Sequence, residues 1–225
     1  MEIAPRVHAV PMLGATAFLA CEERLTLIDA GLVGSRRRLE RYLRRLGRSL
    51  DELDLIVCTH AHPDHIGAVA ELTRDSNATV VMHPADIELL RLGLRQAVRN
   101  ASRTNLIAAM TRAPRDPVPV QDGEVLPALG GLRVVHTPGH TPGSICLYAP
   151  SLRLVFVGDV LQVIRGSVTY ASSFFSADFP AARASIARLA ALDVETIAFS
   201  HYPPWRRDAR ATLQALADGA AMLGA

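Results

Sequence analysis

Thr59-His60-Ala61-His62-Pro63-Asp64-His65 places three imidazoles and one carboxylate within six residues, directly after the apolar run 53–58. Neutral imidazole nitrogens and carboxylate oxygens are ligands that zinc, iron and manganese accept. Buried together without a cation, these groups would repel one another or stay unsatisfied. Pro63 prevents a helix from running through the histidine pair and biases His62 towards an extended backbone. His60 and His62, two apart, then project to one side. Asp64 and His65 open a helix over 64–73, with Ile66, Val69, Ala70 and Leu72 at helical spacing. One tight turn of this form is able to feed two adjacent metals.

The H-x-H-x-D-H pattern is the signature of the metallo-β-lactamase superfamily, and the chain resembles its members. Strand 132–135 runs into His136-Thr137-Pro138-Gly139-His140-Thr141-Pro142-Gly143-Ser144, whose two Pro-Gly pairs enforce a rigid turn. That segment is similar to the superfamily's second ligand motif, which makes His140 a metal ligand and His136 a support residue. The resemblance also assigns Asp159, after strand 154–157 and Gly158, as the carboxylate bridging two metals, and His201, after strand 196–199, as the last ligand. A bridging anion is what two dications about 3.5 to 4 Å apart require. Asp29, in Asp29-Ala30-Gly31, matches the family's acid beneath the metals, whose role is to orient ligands. The departure is at Ser200 and Tyr202, where the family commonly has glycines beside the last histidine. Tyr202 thereby adds a phenol to the pocket.

The implied fold is α/β, a four-layer αββα sandwich of two mixed β-sheets flanked by helices, occupying residues 1–225 as one domain. The residue pattern agrees: three short β-prone runs (7–12, 15–20, 25–28) suggest an antiparallel meander, and strands then alternate with helices. Leu39, Tyr42, Leu43 and Leu46 mark an amphipathic helix over 35–46. Residues 86–115 are the least family-like part and read as a variable helical insert. Arg91, Arg95, Arg99 and Arg103 recur every four residues there, a basic stripe suited to a lid or dimer edge that draws an anionic substrate towards the metals. A helix is expected over 180–192 and a closing helix over 206–221, and the loop 161–178 supplies lining residues.

Hydrophobic residues make up 49% of the 225, enough for a sizeable core. The net charge of +2 leaves no footprint for nucleic acid or another polyanion. All 24 basic residues are arginine, which excludes a Schiff-base lysine and a P-loop phosphate clamp. Cys21, Cys58 and Cys146 each sit in an apolar run and read as buried thiols of a reducing compartment. Residues 1–10 lack signal-peptide form and no run approaches the roughly 20 apolar residues of a membrane span. The expectation is a cytoplasmic protein without membrane partners.

Carried over residue by residue, the resemblance implies His60, His62 and His140 at one metal and Asp64, His65 and His201 at the other, with Asp159 and a hydroxide between them. Zinc is the expected metal, with iron or manganese as alternatives. The hydroxide would attack the carbonyl of an ester, thioester or lactone of a small molecule, with Asp64 also accepting a proton. His83, Arg165, Tyr170 and Tyr202 are candidate substrate contacts, with Phe174 and Phe175 beside them. Zinc β-lactamases of the commonest subclass carry Cys at position 159 and lack the His65 ligand, which argues against antibiotic hydrolysis. A persulfide dioxygenase with one iron, and a non-catalytic metal-stabilised binding protein, are the competing expectations.

Overall fold

A computed structural model describes residues 1–99, 106–108 and 110–222, with side chains 93–99 outside the description. The side chains of Arg95 and Arg99, and Arg103 as a whole, therefore lie outside what is described, and Arg91 is exposed.

The first half opens with an antiparallel meander, β1 (Glu2–Ala4), β2 (Val7–Pro11), β3 (Thr16–Cys21) and β4 (Leu25–Ile28). Helix α1 (Arg36–Arg45) carries the chain over to β5 (Leu53–Val57), parallel to β4. After β5 come α2 (Pro63–Ile66), α3 (Val69–Leu72), β6 (Thr79–Met82) and α4 (Pro84–Arg99), and β7 (Val118–Pro119) completes a seven-stranded mixed sheet in sequence order. The second sheet has the order β14-β11-β10-β9-β8, from β8 (Val125–Leu126), β9 (Leu132–His136), β10 (Ile145–Ala149), β11 (Leu154–Phe156) and β14 (Thr196–Ala198). Its β11 and β14 are parallel and the other pairs antiparallel. Helices α5 (Phe179–Ala184), α6 (Ile186–Ala190) and α7 (Ala209–Met222) follow.

Strand alternation sorts the side chains into three apolar layers. Phe18, Ile28, Leu55 and Val57 meet Val134, Leu147 and Phe156 between the sheets, with the Phe18 and Phe156 rings 5.1 Å apart. Leu19, Leu27 and Ile56 face the other way, against Leu39 and Leu43 of α1, Ile66 and Leu72. Cys146, Val155 and Ile197 pack on Ile186, Leu189 and Leu213 of the second-half helices. The result is the expected four-layer αββα sandwich.

Three boundaries differ from expectation. The helix over 64–73 is split into α2 and α3 around Gly67, where a Cβ would lie 2.4 Å from the Pro63 carbonyl and 2.9 Å from the Val33 nitrogen. The helix over 180–192 is likewise two helices, with Ser185 between them donating its hydroxyl to the Pro138 carbonyl at 2.8 Å. Residues 161–170, expected as loop, form a separate hairpin of β12 (Leu161–Ile164) and β13 (Ser167–Tyr170) turning at Arg165-Gly166. The three cysteines are free, and burial pushes the Cys146 thiol up to about 12. Among the described residues no helix is long and apolar enough to cross a membrane.

Candidate metal centre

The site lies where strands of both sheets end. β4 delivers Asp29, β5 delivers Thr59 and the histidine turn, β9 leads to His140, β11 to Asp159 and β14 to His201. The sheets are pinned together there: Ile145 donates its N–H to the Thr59 carbonyl at 2.9 Å, and Thr16 donates to the Ser200 carbonyl at 2.7 Å. Gly158 adopts φ +49°, and a Cβ there would stand 2.9 Å from the Thr59 hydroxyl, so the approach of β11 to the histidine turn requires glycine.

All seven expected ligand residues converge, in two groups. His60, His62, His140 and Asp159 form one and Asp64, His65 and His201 the other, with potential ligand atoms of each group within 4.8 Å of one another. In the first, His62 Nδ1 lies 3.1 Å from His60 Nε2 and 3.0 Å from His140 Nε2. In the second, Asp64 Oδ2 lies 3.7 Å from His65 Nε2 and 3.4 Å from His201 Nε2. Asp159 divides its two oxygens between them. Oδ2 is 3.6 Å from His140 Nε2 and 4.0 Å from His60 Nε2, while Oδ1 is 3.3 Å from both His65 Nε2 and His201 Nε2.

Supporting hydrogen bonds fix which nitrogen is free to coordinate. Asp29 sits at φ +60°, an unusual conformation for a buried aspartate and a sign of local constraint. It accepts from the Thr59 N–H at 2.9 Å, the Thr59 hydroxyl at 2.8 Å and His65 Nδ1 at 2.7 Å. With that hydroxyl donating to Asp29, its oxygen receives the Nδ1–H of His60 at 3.1 Å. Both imidazoles therefore turn Nε2, the nitrogen left for a cation, towards the cluster. His65 Nε2 and Asp159 Oδ1 are buried with no hydrogen-bond partner. Tetrahedral ligands at zinc distances are about 3.3 Å apart, close to the spacings here, so the donor set fits a divalent cation in each group.

The charges follow the same division. Burial lowers His62 to about 3, and lowers His60 and His140, which leaves these imidazoles neutral. The Asp159 and Asp64 carboxylates, 3.3 and 3.4 Å from its Nε2, raise His201 to about 9. Burial opposes charge on His65, but Asp159 and Asp29 outweigh it and raise that group well above its usual value. Burial likewise opposes charge on Asp159, and His65 with His201 overcomes it and holds the carboxyl well below the usual range.

The two groups open into a cavity of about 460 Å³ that is also lined by apolar Ile107, Leu161, Ala171 and Phe175 and by Gln162, Ser172 and Tyr202. Of the candidate substrate contacts only Tyr202 lines it. His83 stacks on His136, ring centroids 3.9 Å apart, and His136 donates Nε2–H to the Pro142 carbonyl at 3.0 Å. That bond braces the turn carrying His140. Arg165 occupies the exposed tip of the β12–β13 hairpin, and Tyr170 gives its hydroxyl to the Leu216 carbonyl, anchoring the hairpin to α7. Phe175 does line the cavity. The segment 161–178 supplies lining residues as expected, among them Leu161 and Gln162, not singled out in sequence, which reach the cavity because β12 starts two residues after Asp159; Asp86, treated below, has no such signal in sequence.

The family model of the metallo-beta-lactamase superfamily matches residues 11–201, from β2 to the last histidine. The chain belongs to the metallo-beta-lactamase superfamily. It is 31% identical over 156 residues to the probable metallo-hydrolase YqgX of Bacillus subtilis, covering 69% of this chain and 70% of that protein. To the acyl-coenzyme A thioesterase MBLAC2 of Bos taurus it is 32% identical over 161 residues, 62% of this chain and 55% of the other. Among solved structures, a metallo-beta-lactamase family protein of Thermus thermophilus superposes with a TM-score of 0.76 at 23% identity, over 98% of this chain and 81% of that one. That likeness speaks for the shared sandwich. As a member of this hydrolase superfamily the chain keeps histidine and aspartate groups able to bind metal.

Proposed function

We propose that the chain is a hydrolase using two divalent cations, most readily zinc, to cleave an ester, thioester or lactone whose acyl side is uncharged and apolar. His60, His62 and His140 would hold one cation, Asp64, His65 and His201 the other, and Asp159 would face both. The observation that carries this reading is the division of the Asp159 oxygens between the two groups. Divalent cations in such a site supply a water that ionises near pH 7 and an electrophile for the carbonyl oxygen.

The chain's own residues do the rest. Leu161, Ala171, Phe175 and Ile107 take up the acyl chain and exclude water beside the scissile bond. Among the described lining residues no charged side chain stands outside the two ligand groups, and the described wall offers an acyl chain apolar contacts. The Asp64 carboxylate, on the cavity wall, takes up the proton released at the reacting centre. MBLAC2, by name an acyl-coenzyme A thioesterase, lends weight to the thioester branch.

Exhaustive chelation is expected to abolish hydrolysis of a chromogenic ester, and stoichiometric zinc, iron or manganese to restore it; full activity after chelation would contradict the reading. Along a straight-chain series from acetyl to hexanoyl, kcat/KM should rise about fourfold per methylene, the effect of about 0.8 kcal/mol of apolar burial. An acyl chain ending in a carboxylate should react more slowly than its neutral counterpart of equal length. A flat series would remove the apolar acyl site while leaving hydrolysis standing.

A further inference from the structure

Asp86 is a fully buried acid that none of the chemistry above uses. It lies in the first turn of α4, directly after β6 and His83. Its carboxylate is directed away from its own helix and gathers donors from both ligand turns. Oδ2 accepts the Ala61 N–H at 2.8 Å and the Thr141 hydroxyl at 2.7 Å, and Oδ1 accepts the Gly143 N–H at 2.7 Å. Ala61 stands between His60 and His62, while Thr141 follows His140. One carboxylate thus joins the histidine turn of the first half to that of the second. Gly143 leaves room for it: a Cβ there would come within 2.5 Å of the Asp86 nitrogen and 2.7 Å of Oδ1. Thr141 is held in turn by Ser144, whose hydroxyl oxygen accepts the Thr141 N–H at 2.9 Å.

We propose that Asp86 is the positioning residue that sets the spacing between the His60–His62 pair and His140, and so the geometry of the first metal group. This rests on the metal-site reading above. The physical reason is that the two turns come from different sheets, which the Ile145–Thr59 hydrogen bond joins nearby, and the Asp86 carboxylate bonds directly to both turns. A buried charge accepting three hydrogen bonds is costly to displace, and its loss strands three buried donors. Burial lifts its carboxyl to about 6, against the three donors, which leaves it ionised at neutral pH and able to accept from all of them.

The test compares wild type with Asp86→Asn, which keeps the volume but turns an N–H₂ towards one set of donors. Cobalt(II) is the probe: affinity is read by competition with a chelator, site geometry by the visible absorption of the bound ion, and fold by thermal unfolding before cobalt is added. The expected result is a weakening of the first group by about 10- to 100-fold, the size typical for partners that orient ligands, with a changed cobalt spectrum and retained binding at the second group. If Asp86→Asn does not fold, Thr141→Val removes one donor and leaves the carboxylate, and a several-fold weakening is expected. Unchanged cobalt affinity and spectrum with only a lower melting temperature would overturn the proposal and make Asp86 a fold-stabilising residue alone. Wild-type protein that binds no cobalt would overturn the metal-site reading as well, so the two failures are told apart.

Discussion

Replacing Asp159 with alanine is expected to lower kcat/KM for ester hydrolysis by about 10³-fold, the several kcal/mol of transition-state stabilisation that metal ions supply. Its Oδ1 lies 3.3 Å from His65 and His201, and Oδ2 lies 3.6 Å from His140. Without this carboxylate the two proposed cations would lose the shared anion that offsets their repulsion. The variant should therefore retain fewer than two cations per chain. Asp159→Asn keeps the shape and one carbonyl oxygen but removes the charge, and should fall between alanine and wild type in both measures. Metal content and kcat/KM are to be measured on the same samples. Two tightly held cations with a wild-type rate in Asp159→Ala would remove the bridging role.

Metal uptake at pH 7 is expected to release about two protons at the second group and almost none at the first, since imidazole must be neutral to coordinate. Burial already keeps His60, His62 and His140 neutral, with His62 at about 3. Before a cation binds, His201 titrates at about 9 and His65 well above its usual value, so both are protonated at pH 7. The cation displaces the proton on His201 and the Nε2 proton of His65, while His65 Nδ1–H stays with Asp29. Affinity at the second group should accordingly climb as pH rises towards 9, about tenfold per pH unit for each proton displaced. Stability has the opposite sign. A raised histidine pKa adds stability below the unfolded value of about 6.5, which is lost as pH rises through about 9. Titration calorimetry in two buffers of different ionisation heat counts the protons. Equal release at both groups would contradict the charge division between them.

His60, His62, Asp64 and His65 were readable from the residues themselves, since four coordinating groups crowd one turn at a strand exit, whereas His140, Asp159 and His201, each a single group after a strand, were readable only through the family resemblance. Asp29 was readable only through the same resemblance, since Asp-Ala-Gly after a strand is an ordinary turn and its partners, Thr59 and His65, are 30 and 36 residues away. Asp86 was not. An acid in the first turn of a helix is ordinary surface chemistry in sequence, and only the fold brings Ala61, Thr141 and Gly143 to it. The breaks in the two helical runs were hidden for the same reason. Gly67 and Ser185 interrupt apolar periodicity because of contacts with Val33 and Pro138, neither of which is local. The β12–β13 hairpin left a local trace, Leu161 and Val163 alternating towards Arg165-Gly166 with Val168 and Tyr170 beyond. Its polar alternate positions made it read as loop. Tyr170 was drawn to the site by its aromaticity, whereas its hydroxyl is held by α7.

The central claim is that two cations sit on either side of Asp159. Anomalous diffraction at the zinc edge from crystals of the zinc-loaded protein tests it most directly. The account predicts two peaks, one bounded by His60, His62 and His140 and the other by Asp64, His65 and His201, with an oxygen of Asp159 at each. A single peak, or peaks elsewhere with Asp159 turned away from both groups, would contradict it.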